Sequence, residues 1–279
     1  MDWVEVAICV WHDFELYMLR EYIAHRREKD GKIQNLSKHL LEVSRLTGEF
    51  ASKIGLKEHG ELIGFLHDIG KASHKFQNYI KSAVGLINPD EDEYVDATGM
   101  KGKIDHSSAG AQFIYRNFLN KGHETLFVAQ MLSLCVASHH SGMIDSLSPD
   151  GKDSFRRRMD KAKEKTNSEE VWSKLGDAER EKIEKLSPKK LSQLLLSRLK
   201  SLREANDSQE TMMFKCGLLV RFLFSCLIDA DRLNTADFEF PGNMRLRNKN
   251  KYPSWEVLIT RFNAKIFENK NKVDVLRNS

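Results

Sequence analysis

Residues Gly64-Phe65-Leu66-His67-Asp68-Ile69-Gly70-Lys71 set an imidazole and a carboxylate side by side where an apolar helical run stops at a glycine. Both groups are good ligands for a divalent transition metal at neutral pH, so His67 and Asp68 are candidate metal ligands. At a helix end their side chains can reach into a cleft instead of a sealed core, and the ammonium of Lys71 could hold an anionic substrate. The motif alone is ambiguous, because many ordinary helices end in a polar pair before glycine. His39, His106, the doublet His139-His140 and Asp231 add weight, each at the end or inner face of an expected helix. The histidines of this set are half of the ten in the chain.

The elements that must gather these residues read as helices. Only 5 residues are proline, which disfavours a strand-and-turn architecture. From residue 35 onward Leu36, Leu40, Val43, Leu46 and Phe50 keep the helical period, with Ser37 the expected N-cap. His39 shares their inward face, where it either bonds a buried partner or binds a metal. Residues 57–69 form the next helix and deliver His67-Asp68 at its end. A short helix is expected over 75–84 and a loop over 88–103. Asp105-His106-Ser107-Ser108 then opens a helix containing Ala109, Phe113, Ile114 and Phe118. Asp or Ser there caps free N–H groups, whereas nothing about capping calls for His106.

The apolar helix over 126–138 ends in His139-His140, two imidazoles that when charged would also suit the helix dipole. Residues 152–188 are rich in Lys, Arg and Glu, with Arg156-Arg157-Arg158 in a row, and read as a solvated helical insertion of mixed charge. Ser187-Pro188 starts a helix with proline at its first position and a buried stripe of Leu191, Leu194, Leu195, Leu199 and Leu202. Residues 212–233 are apolar almost all round, which predicts a central helix. Carboxylates in it, Asp229 and Asp231, are costly unless paired or metal-bound, and Val220, Phe224, Leu227 and Asp231 lie on one stripe. Residues 3–11 fit a strand or the start of a helix. The basic C-terminal stretch carries Arg245, Arg247, Lys249, Lys251, Arg261 and Lys265, with Trp255, Phe262 and Phe267 as expected anchors of a packing helix.

Composition sets outer limits. With 41% hydrophobic and 30% charged residues the chain is an ordinary globular protein, and 279 residues can bury a large core in one domain or two. A net charge of +4 is compatible with nucleic acid without requiring it. Cys9, Cys135, Cys216 and Cys226 form no C-x-x-C pair and read as reduced core thiols, which excludes a zinc knuckle and a disulfide framework. A secretory leader is not expected. The most apolar stretch, 216–230, is interrupted by Arg221 and reads as too short to span a bilayer. A cytoplasmic protein without a membrane partner is expected.

In sequence order the residues run H…HD…H…HH…D. This resembles the HD superfamily of metal-dependent phosphohydrolases, and more closely the HD nuclease domain of the type I CRISPR-associated helicase–nuclease. The likeness is carried by Ala24-His25, Ser37-Lys38-His39-Leu40, GFLHDIGK at 64–71, Asp105-His106-Ser107-Ser108-Ala109-Gly110, Ala137-Ser138-His139-His140 and Asp229-Ala230-Asp231-Arg232-Leu233. It runs over about residues 22–269.

The resemblance implies an all-α HD-domain helical bundle with a charged helical insertion at about 150–188, an N-terminal extension over 1–21, and a linker or tail over 270–279. It also implies one or two divalent transition metals. Imidazole-rich ligation favours Mn, Ni, Co, Fe or Zn over Mg. By motif, His39, His67, Asp68 and Asp231 would hold one ion, and Asp68 would bridge to a second held by His106, His139 and His140. Asp229 aligns as well as Asp231; Asp231 is preferred because it continues the inward stripe. Lys71 matches a lysine that contacts the scissile phosphate, and Ser107 is a candidate phosphate donor besides its capping role.

The implied activity is cleavage of single-stranded DNA displaced by a guide-RNA surveillance complex, with a helicase domain or subunit as partner. The chain carries no helicase P-loop at 64–71: five residues separate Gly64 from Gly70, and Ala72 follows Lys71. A nuclease-domain fragment of a longer protein is expected, with a stand-alone subunit as the alternative. Two other readings are an HD phosphohydrolase acting on nucleotides or cyclic nucleotides, and a non-enzymatic helical scaffold with structural histidines.

Overall fold

In the computed structural model, which describes residues 19, 21–100, 103–119, 122–247 and 253–268 (the side chains of 255 and 266–268 excepted), regular structure begins at a small hairpin. The expectations for residues 3–11, Cys9, Lys249, Lys251, the side chains of Trp255 and Phe267, and the tail over 270–279 lie outside the described residues, as does nearly all of the N-terminal extension.

Strands β1 (Ile23–Arg26) and β2 (Ile33–Asn35) pair antiparallel, Ile23 opposite Asn35 and Arg26 opposite Ile33. Everything regular beyond them in the described residues is helical, so the fold is the expected all-α bundle with this two-stranded addition. Asn35, not Ser37, caps α1 (Leu36–Ser52): its side chain accepts from the Lys38 N–H at 2.9 Å, while Ser37 is buried inside the first turn. Asparagine is as good a cap as serine, and the strand ending at Asn35 fixes where the helix can begin. Helix α2 (Lys57–Leu66) packs along α1 and hands over to a 3-10 turn, Ile69–Ala72, and then to α3 (His74–Ala83).

Helices α4 (Ser107–Leu119) and α5 (His123–Ser138) form the second packed pair. Leu40, Val43, Ile63, Leu66, Ile114, Leu132 and Val136, from both pairs, are buried in one shared core. Two glycines set how closely they meet. A Cβ on Gly110 would lie 2.0 Å from the Leu66 carbonyl oxygen, and one on Gly70 would lie 2.1 Å from the His106 carbonyl oxygen. Only hydrogen fits at either point, so both glycines bring the start of α4 against the His67-Asp68 segment.

The charged insertion departs from its reading as a solvated excursion. Its short helices, α6 (Ser154–Met159), α7 (Lys163–Thr166), α8 (Ser168–Ser173) and α9 (Asp177–Lys185), bury Phe155, Met159, Val171, Leu175, Ile183 and Leu186 in the main core. Trp172 stacks on Phe113 with centroids 4.1 Å apart, and the Gln112 side-chain amide donates to the carbonyls of Met159 and Lys161 at 3.1 and 2.9 Å. No one of the short helices carries more than two of these apolar residues, and Leu175 and Leu186 lie between helices, so they are too thinly spread to give a periodic signal among so many charges. Helix α10 (Pro188–Leu202) follows as expected, capped by Ser187, with Leu191 and Leu195 buried.

Helix α11 (Gln209–Glu239) is longer and less central than expected. It buries Leu219, Leu223, Leu227, Ala230 and Asn234 against α1, α2 and α5 but leaves Met213, Phe214, Leu218 and Phe222 exposed. Among the described residues of Met1–Glu239 one side of the helix meets other helices, so apolar composition all round does not here mean burial all round. Its 31 residues are, by length and composition alone, long and apolar enough to cross a membrane, which corrects the expectation drawn from 216–230. Phe240–Ser279 forms a second unit. Among its described residues are a 3-10 turn, Pro241–Leu246, and α12 (Trp255–Glu268), on which Phe262 is exposed.

Candidate metal centre

Five separate segments deliver the candidate ligands to one place. His67 still has helical backbone angles after α2, whereas Asp68 turns out of them (φ −115°, ψ 14°) as the chain enters the 3-10 turn, so the two side chains diverge into one cleft. His39 comes from the first turns of α1, His106 from just before α4, His139-His140 from just after α5, and Asp231 from α11. Asp229 on the same helix is exposed and outside the group.

Asp68 stands between two sets of nitrogen atoms. Its Oδ2 lies 3.5 Å from His39 Nε2 and 3.5 Å from His67 Nε2, and Asp231 Oδ1 lies 3.6 Å from each of the same two nitrogens. Its Oδ1 lies 3.5 Å from His106 Nε2, 3.1 Å from His139 Nε2 and 3.5 Å from His140 Nε2. The first set is closed from solvent apart from Asp231, while the second opens outward, with the His140 side chain 46% exposed.

Four of the imidazoles are oriented by acceptors at their other nitrogen. Nδ1–H of His39 donates to Asn234 Oδ1 (2.8 Å), that of His67 to the Gly64 carbonyl (2.8 Å), that of His106 to the Ile104 carbonyl (3.0 Å) and that of His139 to the Val136 carbonyl (2.7 Å). Each bond selects the tautomer with a free Nε2 lone pair facing Asp68, which is how metal-ligating histidines are held. Nε2 of His39 and of His67 is buried with no hydrogen-bond partner, a state buried polar atoms rarely tolerate. The Nε2 atoms of His106 and His140 approach to 2.5 Å, so both rings converge on one point beside Asp68. This donor set fits divalent metal ions.

The electrostatics favour the binding forms of the ligands they shift, His67 excepted. Burial, which disfavours imidazolium, pushes His39 and His139 down and His106 to about 4. For His67 burial is opposed by the carboxylates of Asp68 and Asp231, which raise it. Burial works against ionising Asp68, yet Lys71 and His67 outweigh it and hold the carboxyl well below the usual range. Burial works against ionising Asp231 as well, and the neighbouring His67 imidazole outweighs it, so this carboxyl too lies below its usual range.

Lys71 and Ser107, the expected substrate contacts, are both buried and already bonded within the protein. The buried Lys71 ammonium meets Asp68 Oδ2 at 2.8 Å, His25 Nε2 at 3.3 Å and the Ala24 carbonyl at 3.4 Å, so its three donors are all engaged. Ser107 is buried and its Oγ accepts from Arg158 Nη2 at 3.1 Å. Sequence reasoning assigned no role to Asn234, His25 or Arg158. Asn234 follows Asp231 by three residues and so shares its helix face, a signal that was available. His25 stood out only as part of the Ala24-His25 likeness and Arg158 only as one of three adjacent arginines, and neither pattern pointed to its partner, which each meets only across the fold.

Residues 25–220 match the family model described as Cas3, HD domain. That span is more than half of the chain and includes every candidate ligand except Asp231. No curated protein matches the chain.

Proposed function

The chain belongs to the Cas3 HD-domain family of metal-dependent hydrolases of CRISPR systems, and on that footing we propose that it is a nuclease hydrolysing the phosphodiester bonds of single-stranded DNA in type I CRISPR interference. The supporting observation is one carboxylate, Asp68, shared between two imidazole-rich sets. His39, His67, Asp68 and Asp231 would hold one ion, and Asp68, His106, His139 and His140 a second. Such ions, when bound, lower the pKa of water and steady the attacking and leaving oxygens of a diester. Imidazole ligation favours Mn, Fe, Co, Ni or Zn over Mg.

The protein's own groups prepare this site. The backbone carbonyls and Asn234 fix the rings, so little reorganisation remains when charge develops. Asp68 and Asp231 remain ionised at neutral pH, and the lowered His39, His106 and His139 remain neutral. Closure around His39 and His67 excludes bulk water from one side, while the exposed face of His140 leaves the other side open to a polymer. An open rim suits a strand better than the closed pocket a free nucleotide would need. A helicase domain or subunit would deliver that strand, in the cytoplasm, from a guide-RNA complex.

Purified protein loaded in turn with Mn, Ni, Co and Mg should cut single-stranded oligonucleotides, and His67→Ala or Asp68→Ala should abolish cutting. If oligonucleotides stay intact with every metal while nucleotides or cyclic nucleotides are hydrolysed, the nucleotide phosphohydrolase reading replaces this one.

A further inference from the structure

We infer that a cavity beside the outer ligand set, lined by Ile144, Ser154, Arg157, Arg158 and Lys161, is a subsite for a backbone phosphate of the substrate strand. This rests on the nuclease reading and deepens it, because it says where the chain grips the strand outside the metal centre.

Position comes first. The Arg158 guanidinium donates from Nε to Ser108 Oγ at 3.0 Å, from Nη2 to Ser107 Oγ at 3.1 Å and from Nη1 to the Ala137 carbonyl at 2.5 Å. Ser107 is the neighbour of His106, and Ala137 lies two residues before His139. One wall of the cavity is therefore bonded to both segments that supply the open set of ligands.

Charge comes second. All three acceptors of Arg158 are neutral, and its three bonds leave two of five N–H donors unused. The nearby carboxylate of Asp105 is taken by Lys161 at 2.5 Å and by the Ser108 hydroxyl at 2.7 Å, and that of Asp160 by Arg156 at 3.5 Å. Among the described residues neither Arg157 nor Arg158 has a carboxylate within ion-pair distance. A half-buried guanidinium without a counter-ion is costly, and an incoming phosphate, matched to its planar fork, would relieve that cost.

Size comes third. About 260 Å³ is small for a whole ligand but ample for a phosphodiester with part of its sugar. Ile144 would meet the sugar, and the Ser154 hydroxyl can donate beside Arg157. Phosphate contacts position a strand without reading it, so the grip should be independent of sequence.

The test is binding of labelled oligothymidylate to metal-free protein, followed by fluorescence anisotropy over a range of salt. Arg158 is left intact because its bonds support the site. Arg157→Ala should weaken binding about 5-fold, and Arg157→Glu and Ser154→Glu more than about 10-fold. The slope of log K against log salt should shrink by about 0.7 for each positive charge removed. Arg157→Lys should restore most of the affinity, and an oligonucleotide of mixed sequence should behave alike. Variants that melt like the wild type yet bind with unchanged affinity and slope overturn the subsite, as does wild-type protein that fails to bind the strand. If the wild type binds through these residues but cuts nothing with any metal, the nuclease reading fails and the subsite stands.

Discussion

Asn234 Oδ1 accepts the Nδ1 proton of His39 at 2.8 Å, and the same oxygen also accepts from the Gln34 side chain at 2.8 Å. An amide oxygen can only accept, so His39 must present a bare Nε2 to the carboxylates of Asp68 and Asp231. Partners of this kind hold a ligand's orientation and basicity. Asn234→Ala should lower metal affinity about 10- to 100-fold without unfolding the bundle. Calorimetric titration of metal-stripped protein measures this, and an affinity equal to the wild type would refute the role.

Lys71 is the closest cation to Asp68 and the largest influence favouring its ionised form. Its removal should let the Asp68 carboxyl rise toward ordinary values. Binding needs the carboxylate, so Lys71→Met should lose metal at a higher pH than the wild type as the solution is acidified. Metal retention followed from pH 7 to 4 gives the answer. If Lys71 acts on substrate alone, the retention curves will coincide and only KM will change.

Gly110 lies where α4 touches the end of α2, and Gly70 where the 3-10 turn touches His106. A methyl group at either would meet a backbone oxygen at about 2 Å, so neither clash can be relieved by a side-chain rotation. Gly110→Ala and Gly70→Ala should each cost about 1–3 kcal/mol or more and should weaken metal binding by moving His106. Gly217, inside α11 with open space around it, is the contrasting case: Gly217→Ala should stabilise by about 0.5–1 kcal/mol. Denaturant melts of the three variants decide whether contact or helix propensity governs each position.

His59 adds acid sensitivity remote from the metal centre. Its Nε2–H donates to the Leu191 carbonyl at 2.9 Å, and its buried Nδ1 has no partner. Burial lowers its pKa from 6.5 to about 4, with the Leu191 bond acting in the opposite direction. Between those values the unfolded chain takes up a proton that the folded chain refuses, so stability falls as pH drops through this window and is fully present above it. The loss attributable to His59 amounts to about 3 kcal/mol over the whole window, of which about 2 kcal/mol falls between pH 7 and pH 5. His59→Gln should flatten this part of the stability profile, read from urea melts at pH 7 and pH 5 with metal saturating. A profile as steep as the wild type would show that other groups carry the effect.

The order of histidines and aspartates, the helical periods around them, and the glycine after His67-Asp68 are local features, and the sequence alone determined from them an all-α bundle and a set of candidate ligands. Periodicity and end signals act over a few residues, which is why they can be read without a fold. The cap at Asn35, the apolar content of the insertion, and the open side of α11 each depended on which surface another segment covers. The same holds for Asn234 behind His39, His25 beside Lys71, and Arg158 behind Ser107. Arg158 lies 51 residues from Ser107 in sequence, and no short-range pattern links them. Packing chose those partners, because a buried donor or acceptor takes whatever complementary group the chain's path brings within about 3 Å.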